Sequence, residues 1–171
     1  MNDRIQDLLD KQEIYELICR YMRGLDRLDR KLLRSVYHDD ATDDRGFFKG
    51  SADEFVELAI GLIKNFDYCH HMIGQALIEI DGDVAFGEIY FQAFHRMNTN
   101  GLEQDLIILG RYIDRYEKRS GTWKIAHRTE LNDFDRIVPA ADEWSKSTPE
   151  ALRGATAPDD LSYKRDVIKK K

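Results

Sequence analysis

The chain holds only two cysteines and three prolines, and it has no long apolar run. Each scarcity excludes something. Cys19, on a predicted helix, and Cys69, on a predicted strand, form neither a disulfide framework nor a CxxC metal pattern, and a reducing cytoplasm suits them best. Pro139, Pro149 and Pro158 all come late, so no Pro/Gly/Ser linker divides what precedes them. One domain over 1–139 is expected, with 140–171 a mostly irregular extension that has at most a short helix. No segment approaches 18 apolar residues, and Met1 to Ile14 carries Asp3, Arg4, Asp7, Asp10, Lys11 and Glu13. Neither a membrane span nor a signal peptide is expected. The formal net charge of −6 comes with both signs interspersed, and only Lys169, Lys170 and Lys171 cluster, so no basic stripe awaits nucleic acid. Phosphate-binding glycine loops, GxSxG and HExxH are also missing, which argues against nucleotide cofactors and serine-hydrolase chemistry.

What the chain does contain is periodicity. Ile14, Leu17, Ile18, Tyr21, Met22 and Leu25 recur at three- and four-residue steps, the apolar stripe of a helix predicted to begin at Asn2, with Gly24 weakening its last turn. Asp29 is an N-cap candidate for a short second helix that buries Leu32, Leu33, Val36 and Tyr37. Ser51 and Glu54 form a capping box before a third helix, whose stripe is Phe55, Leu58, Ala59 and Leu62. Ala41 to Phe48 is too short for a helix and reads as an edge strand. Later the period changes to two. Asp81-Gly82, Asn100-Gly101 and Ser120-Gly121 separate four long β-rich runs, the pattern of an antiparallel meander. Runs of about 12 to 16 residues exceed ordinary strand length, so the sheet must twist and curl. The fold class expected is α+β: a cone-shaped roll with three N-terminal helices packed on a strongly curved sheet. Imperfect closure between those layers leaves room for a small-molecule pocket.

Alternation along the second long strand puts Ala85, Gly87, Ile89, Phe91, Ala93, His95 and Met97 on one face, opposite Glu88, Gln92 and Arg96. His95 therefore points where small and apolar side chains point, either as a hydrogen-bonded core residue or as a pocket group. His70 and His71 on the preceding strand must face opposite ways. A two-residue loop at Asp81-Gly82 pairs residue 71 with 92 and turns His71 away from His95. A three-residue loop over Ile80-Asp81-Gly82, with a bulge, pairs 71 with 91 and brings both inside, roughly 13 Å apart. Asp26, one residue past Leu25 on the helical stripe, is the carboxylate placed to orient such an imidazole. Its alternatives are a solvated helix-end charge or a partner for Arg23 or Arg30. A facial triad of two histidines and an aspartate would suit iron, but adjacent strand histidines cannot chelate from one face, so no metal and no cofactor is expected.

Three N-terminal helices, the Tyr21 to Asp29 segment, the inward histidines, Tyr116-Glu117-Lys118 and Gly121-Thr122-Trp123-Lys124 together resemble the SnoaL-like branch of the nuclear transport factor 2-like superfamily, over residues 1 to about 139. Within it the chain is similar to the scytalone dehydratases at Leu25-Asp26, His70-His71-Met72-Ile73-Gly74, Phe94-His95-Arg96 and Phe134-Asp135-Arg136-Ile137. Hexachlorocyclohexane dehydrochlorinase shows a related Gly-x-Asp and histidine pattern. The resemblance implies that Asp26 orients the base, His71 is the general base, and His95 is a second imidazole beside the substrate. It favours the register with His71 inside. Substrate contacts depart from the dehydratase pattern: Gly110 and Tyr112 stand where serine and asparagine are expected, Asp44 replaces a pocket tyrosine, and Leu25 replaces another. With Phe91 and Phe134, these positions give the candidate substrate-binding residues Asp44, Phe91, Gly110, Tyr112 and Phe134. The function implied is a cofactor-independent lyase, dehydratase-like, or an isomerase that abstracts a proton from a small cyclic substrate through a His-Asp dyad. The alternative is a non-catalytic domain of the same fold that binds a small apolar ligand or mediates assembly. Ile107, Leu109 and Ile113 lie opposite Leu106, Ile108 and Tyr112, so both faces of that strand are apolar. A homo-oligomer is expected, and the resemblance favours a trimer over a dimer.

Overall fold

The structure is a computed structural model and describes residues 3–169. The predicted helix start at Asn2, and Lys170 and Lys171 of the basic cluster, lie outside the described residues. Helix α1 spans Asp3–Asp26, α2 Arg30–Ser35 and α3 Ala52–Ile63. The strands are β1 (Tyr37–Asp44), β2 (Lys49–Ser51), β3 (Tyr68–Asp81), β4 (Val84–Thr99), β5 (Leu102–Arg119) and β6 (Thr122–Pro139). They form one curved, unclosed sheet in the order β2-β1-β6-β5-β4-β3, antiparallel except where β1 runs parallel to β6. The segment read as an edge strand is thus internal. The edge on that side, β2, is three residues long, short enough to offer little template for further pairing.

The α1 stripe Ile14, Leu17, Ile18, Tyr21, Met22 and Leu25 is buried throughout, and each such side chain contributes about 1.5–3 kcal/mol relative to exposure. It lies in the concave face of the sheet against Ile89, Phe91, Tyr112, Tyr116 and Ile125. The capping box at Ser51 and Glu54 is formed, and Asp29 accepts from the Leu32 amide at 2.9 Å. Leu62 departs from its expected burial: it is 48% exposed and stands on the rim of a cavity. Gly24 also has a different role from the one expected. A Cβ there would lie 2.9 Å from the Leu33 backbone, so its missing side chain lets α2 pack directly on the end of α1.

Register at the first hairpin follows neither of the two expected alternatives. Asp81 pairs with Val84, which leaves Gly82-Asp83 as the loop, with Gly82 at φ +61. Continued unchanged, that pairing would set His71 opposite Phe94 and turn it outward. A bulge between Ile73 and Ala76 shifts the register, so His71 opposes Ala93 and Cys69 opposes His95. Both histidines face inward, with ring centroids 5.2 Å apart, far closer than the roughly 13 Å that the three-residue loop implies.

After β6 the chain carries two short helices, α4 (Glu143–Ser147) and α5 (Arg165–Ile168), with a 3-10 turn at Leu161–Tyr163, rather than one at most. Asp142 reaches Arg96 at 3.1 Å and Asp105 holds the same guanidinium at 2.5 Å. Arg96, expected on the open face, is therefore buried. Further on, Tyr163 donates to Asp29 at 2.7 Å and the Ala157 amide to the Arg27 carbonyl at 2.7 Å. Among the described residues no helix is long and apolar enough to cross a membrane.

Substituting Gly24→Ala forces α2 off α1. Overpacking costs about 1–3 kcal/mol, and contact with backbone puts this site at the upper end, beyond the ~1 kcal/mol that alanine gains over glycine in a helix. A lower urea midpoint at unchanged slope is expected. An unchanged midpoint would mean that the two helices are free to separate.

Candidate active site

Asp26 is the last residue of α1, where the helix dipole disfavours a carboxylate. Its donors compensate. The His71 backbone amide reaches both carboxylate oxygens at 3.0 and 3.1 Å, the His71 ring donates through Nδ1 at 2.8 Å, and the Cys69 thiol lies 3.7 Å away. A carboxylate only accepts, so the proton sits on Nδ1 and the Nε2 lone pair is free. The helix stops just beyond: Leu28 adopts φ +50, the Asp29 amide bonds the Gly24 carbonyl at 2.9 Å and the Leu28 amide bonds Leu25 at 3.1 Å. This Schellman-type ending fixes where Asp26 faces.

A cavity of about 200 Å³ opens beside this pair, lined on one side by His71 and His95 and on others by Leu25, Ala59, Ile63 and Ile108. His95 is 6% exposed and packs against Phe66 at 4.5 Å between ring centroids. Its Nδ1 is buried with no hydrogen-bond partner. Burial, and then the neighbouring His71, push its pKa down to about 4, so at neutral pH it is an uncharged imidazole. Phe91 and Tyr112 also line the cavity, stacked at 4.4 Å. Burial pushes the Tyr112 hydroxyl well above its ordinary range, so it keeps its proton.

Three expected contacts lie elsewhere. Asp44 turns away from the cavity to accept from the Gly46 amide at 3.0 Å and Lys49 at 2.9 Å. Phe134 opposes Leu109 on the convex face and is 56% exposed. Gly110 sits beneath Phe91 without reaching the space: a Cβ there would fall 2.3 Å from the Leu131 carbonyl and 2.9 Å from the Phe91 ring. Its role is to let Phe91 lie flat.

The opposite wall carries charge that sequence reading missed. Arg45 and Glu130 line the cavity and pair with each other, and Arg45 also holds Asp43 at 2.8 Å and the Tyr21 hydroxyl at 2.8 Å. Behind them Arg128 bonds Asp114 through two contacts of 2.8 and 2.6 Å, both side chains fully buried. The Arg128 guanidinium lies between the rings of Tyr21 and Tyr112, at 4.2 and 3.9 Å. One signal was available: Asp114 shares the inward parity of Tyr112 and Tyr116, where an acid requires a partner. Cys69, two residues before His71, shared that histidine's face by the same rule.

A curved sheet closed by helices over one apolar cavity, with a carboxylate-bound imidazole in its wall, places the protein among cone-shaped α+β folds of the nuclear transport factor 2 type. The SnoaL-like domain model matches residues 6–129, and the chain belongs to that family. An uncharacterized protein of Mycobacterium tuberculosis is 25% identical over 138 residues, covering 78% of this chain and 92% of its own length. A scytalone dehydratase-like structure from Novosphingobium aromaticivorans superposes with a TM-score of 0.71 at 19% identity, over 93% of this chain and 98% of its own. The LinA-type3 hexachlorocyclohexane dehydrochlorinase of Novosphingobium barchaimii gives 0.69 at 20%, over 81% and 95%. At such identities the two structures share the fold.

Two outcomes follow from the buried groups. Removing Asp114 strands the Arg128 charge, so Asp114→Ala should cost about 3–5 kcal/mol in denaturant unfolding. His95 stays neutral down to about pH 4 in the fold but takes a proton near 6.5 when unfolded. Between those values the unfolded chain binds more protons, so this contribution is complete above about pH 6.5 and is lost as pH falls toward 4. The stability gap between the protein and His95→Gln should narrow over that window. A gap independent of pH would contradict the assignment.

Proposed function

We propose that the protein is a cofactor-independent lyase, of dehydratase or related elimination type, or an isomerase, in which His71 removes a carbon-bound proton from a small cyclic substrate. The observation that supports this most is the 2.8 Å contact between His71 Nδ1 and Asp26 beside an apolar cavity that His71 itself lines. Asp26 fixes the tautomer and stabilises the imidazolium formed once Nε2 takes the proton. The electron pair left on carbon moves to an adjacent carbonyl oxygen or expels a leaving group from the neighbouring carbon. His95, neutral, takes part as a hydrogen-bond donor to the oxygen that gains charge, rather than as an acid in its cationic form.

Cavity size narrows the substrate. An apolar space of about 150 Å³ takes up a benzene-sized ring, so about 200 Å³ suits one ring with small substituents. Arg45, Glu130 and the protonated Tyr112 give that ring a polar wall, which favours a hydroxyl or carbonyl substituent. LinA is by name a dehydrochlorinase of a halogenated cyclohexane. Cyclic hydroxy-ketones and halogenated cyclohexanes are therefore the two substrate sets to screen, for loss of water and of halide respectively.

On whichever substrate is turned over, His71→Ala and Asp26→Asn should each lower kcat by about 10²- to 10⁴-fold, with substrate binding affected far less. Unchanged turnover in both variants would refute the assignment of base and orienting group. Tight binding of a ring compound, with no turnover of either set by the intact protein, would favour a non-catalytic binding domain.

A further inference from the structure

The bulge in β3 brings a third donor to the two imidazoles. Cys69 opposes His95 and lies two residues from His71 on the same face, with its sulfur 3.4 Å from His71 Nδ1. One donor atom from each of Cys69, His71 and His95 lies within 4.8 Å of the others. The His95 Nδ1, on a side chain more than nine-tenths buried, has no partner. A buried nitrogen without a hydrogen bond is costly, and a ligand on this imidazole is what would relieve it.

We infer that Cys69, His71 and His95 form a site for one borderline-soft divalent transition-metal ion, of the Zn²⁺ class. A thiolate and two imidazoles are the donor set that such ions prefer, while Mg²⁺ and Ca²⁺ require oxygen. With Zn–S near 2.3 Å and Zn–N near 2.0–2.1 Å, donors in a tetrahedral site stand about 3.4–3.6 Å apart. Bringing donor atoms that lie within 4.8 Å of one another to that spacing asks for movements of roughly 1 Å. Two of the three groups, His71 and His95, line the cavity. Asp26 adjoins both His71 and Cys69 and adds negative charge that favours a dication. Metal binding displaces one proton: the Cys69 thiol loses its hydrogen to solvent as the sulfur–metal bond forms, and both imidazoles bind as neutral ligands. Burial and the neighbouring Asp26 push the Cys69 thiol well up its scale, so in the metal-free protein it holds that proton.

The ion would occupy the imidazole that the elimination reading uses as its base, so metal and substrate would compete. That consequence rests on the proposed function, whereas the site itself does not, and the test uses no substrate. Reduced, chelator-treated protein is titrated with Co²⁺ and, by calorimetry, with Zn²⁺. The expected result is one equivalent bound, a thiolate-to-cobalt charge-transfer band with tetrahedral d–d intensity, and release of about one proton per ion. Cys69→Ser should abolish the band and His95→Gln should weaken Zn²⁺ binding, whereas Cys19→Ser, changed on the exposed part of α1, should alter neither. Asp26→Asn should weaken binding by about 10- to 100-fold. Far-UV circular dichroism and the thermal midpoint establish that each variant is folded. No thiolate band at saturating Co²⁺, a band lost in Cys19→Ser instead of Cys69→Ser, or equal Zn²⁺ affinity in the protein and folded Cys69→Ser would each overturn the proposal.

Discussion

The Asp26 carboxylate is the point where helix and sheet become one object. It ends α1, at the pole of the helix dipole that repels it, and it is held there by an amide, an imidazole and a thiol that all belong to β3. The carboxylate therefore depends on the strand, and the strand's histidine depends on the carboxylate for its tautomer. Around that junction the helix must stop sharply, α2 must come close, and β3 must present odd-numbered residues inward. Leu28 in the left-handed region, Gly24 beneath Leu33, and the bulge after Ile73 meet those three requirements.

The polar wall across the cavity has a different logic. Its acids, Asp43, Asp114 and Glu130, face the guanidinium groups of Arg45 and Arg128, with Tyr21 and Tyr112 against Arg128. Replacing buried ion pairs by apolar packing of the same volume is often neutral or stabilising, because desolvation offsets much of the attraction. Their value lies in direction. Charge held in fixed orientation next to a water-poor space acts on a bound molecule without having to reorganise, which ordinary solvent cannot do.

Much of this was legible in the residues because the signals were local. The α1 stripe, the caps at Asp29 and Ser51, and the alternation along β4 each depend on neighbours within a few positions, and each formed as expected. Asp26, His71 and His95 lie together in the structure, although the residues alone left both the register of β3 and the partner of Asp26 open. What failed was longer in range. No local pattern announces that β1 joins β6 in parallel, and that pairing turns Asp44 outward while Arg45, one residue on, meets the cavity. Nor does alternation reveal a bulge, since Gly74 and Gln75 look like ordinary strand residues until their partners are known. Misjudging that one step put the histidines too far apart.

That surplus residue also decides how β3 tolerates a change in length. Inward positions are odd-numbered up to Ile73 and even-numbered from Ala76 onward, so the strand holds one residue more than its partner needs. A deletion at Gly74 or Gln75 would leave every inward side chain inward. A deletion a few residues to either side would reverse the face of all positions between it and the bulge. The strand has a single place where its count is negotiable, and it lies beside the residues whose facing matters most.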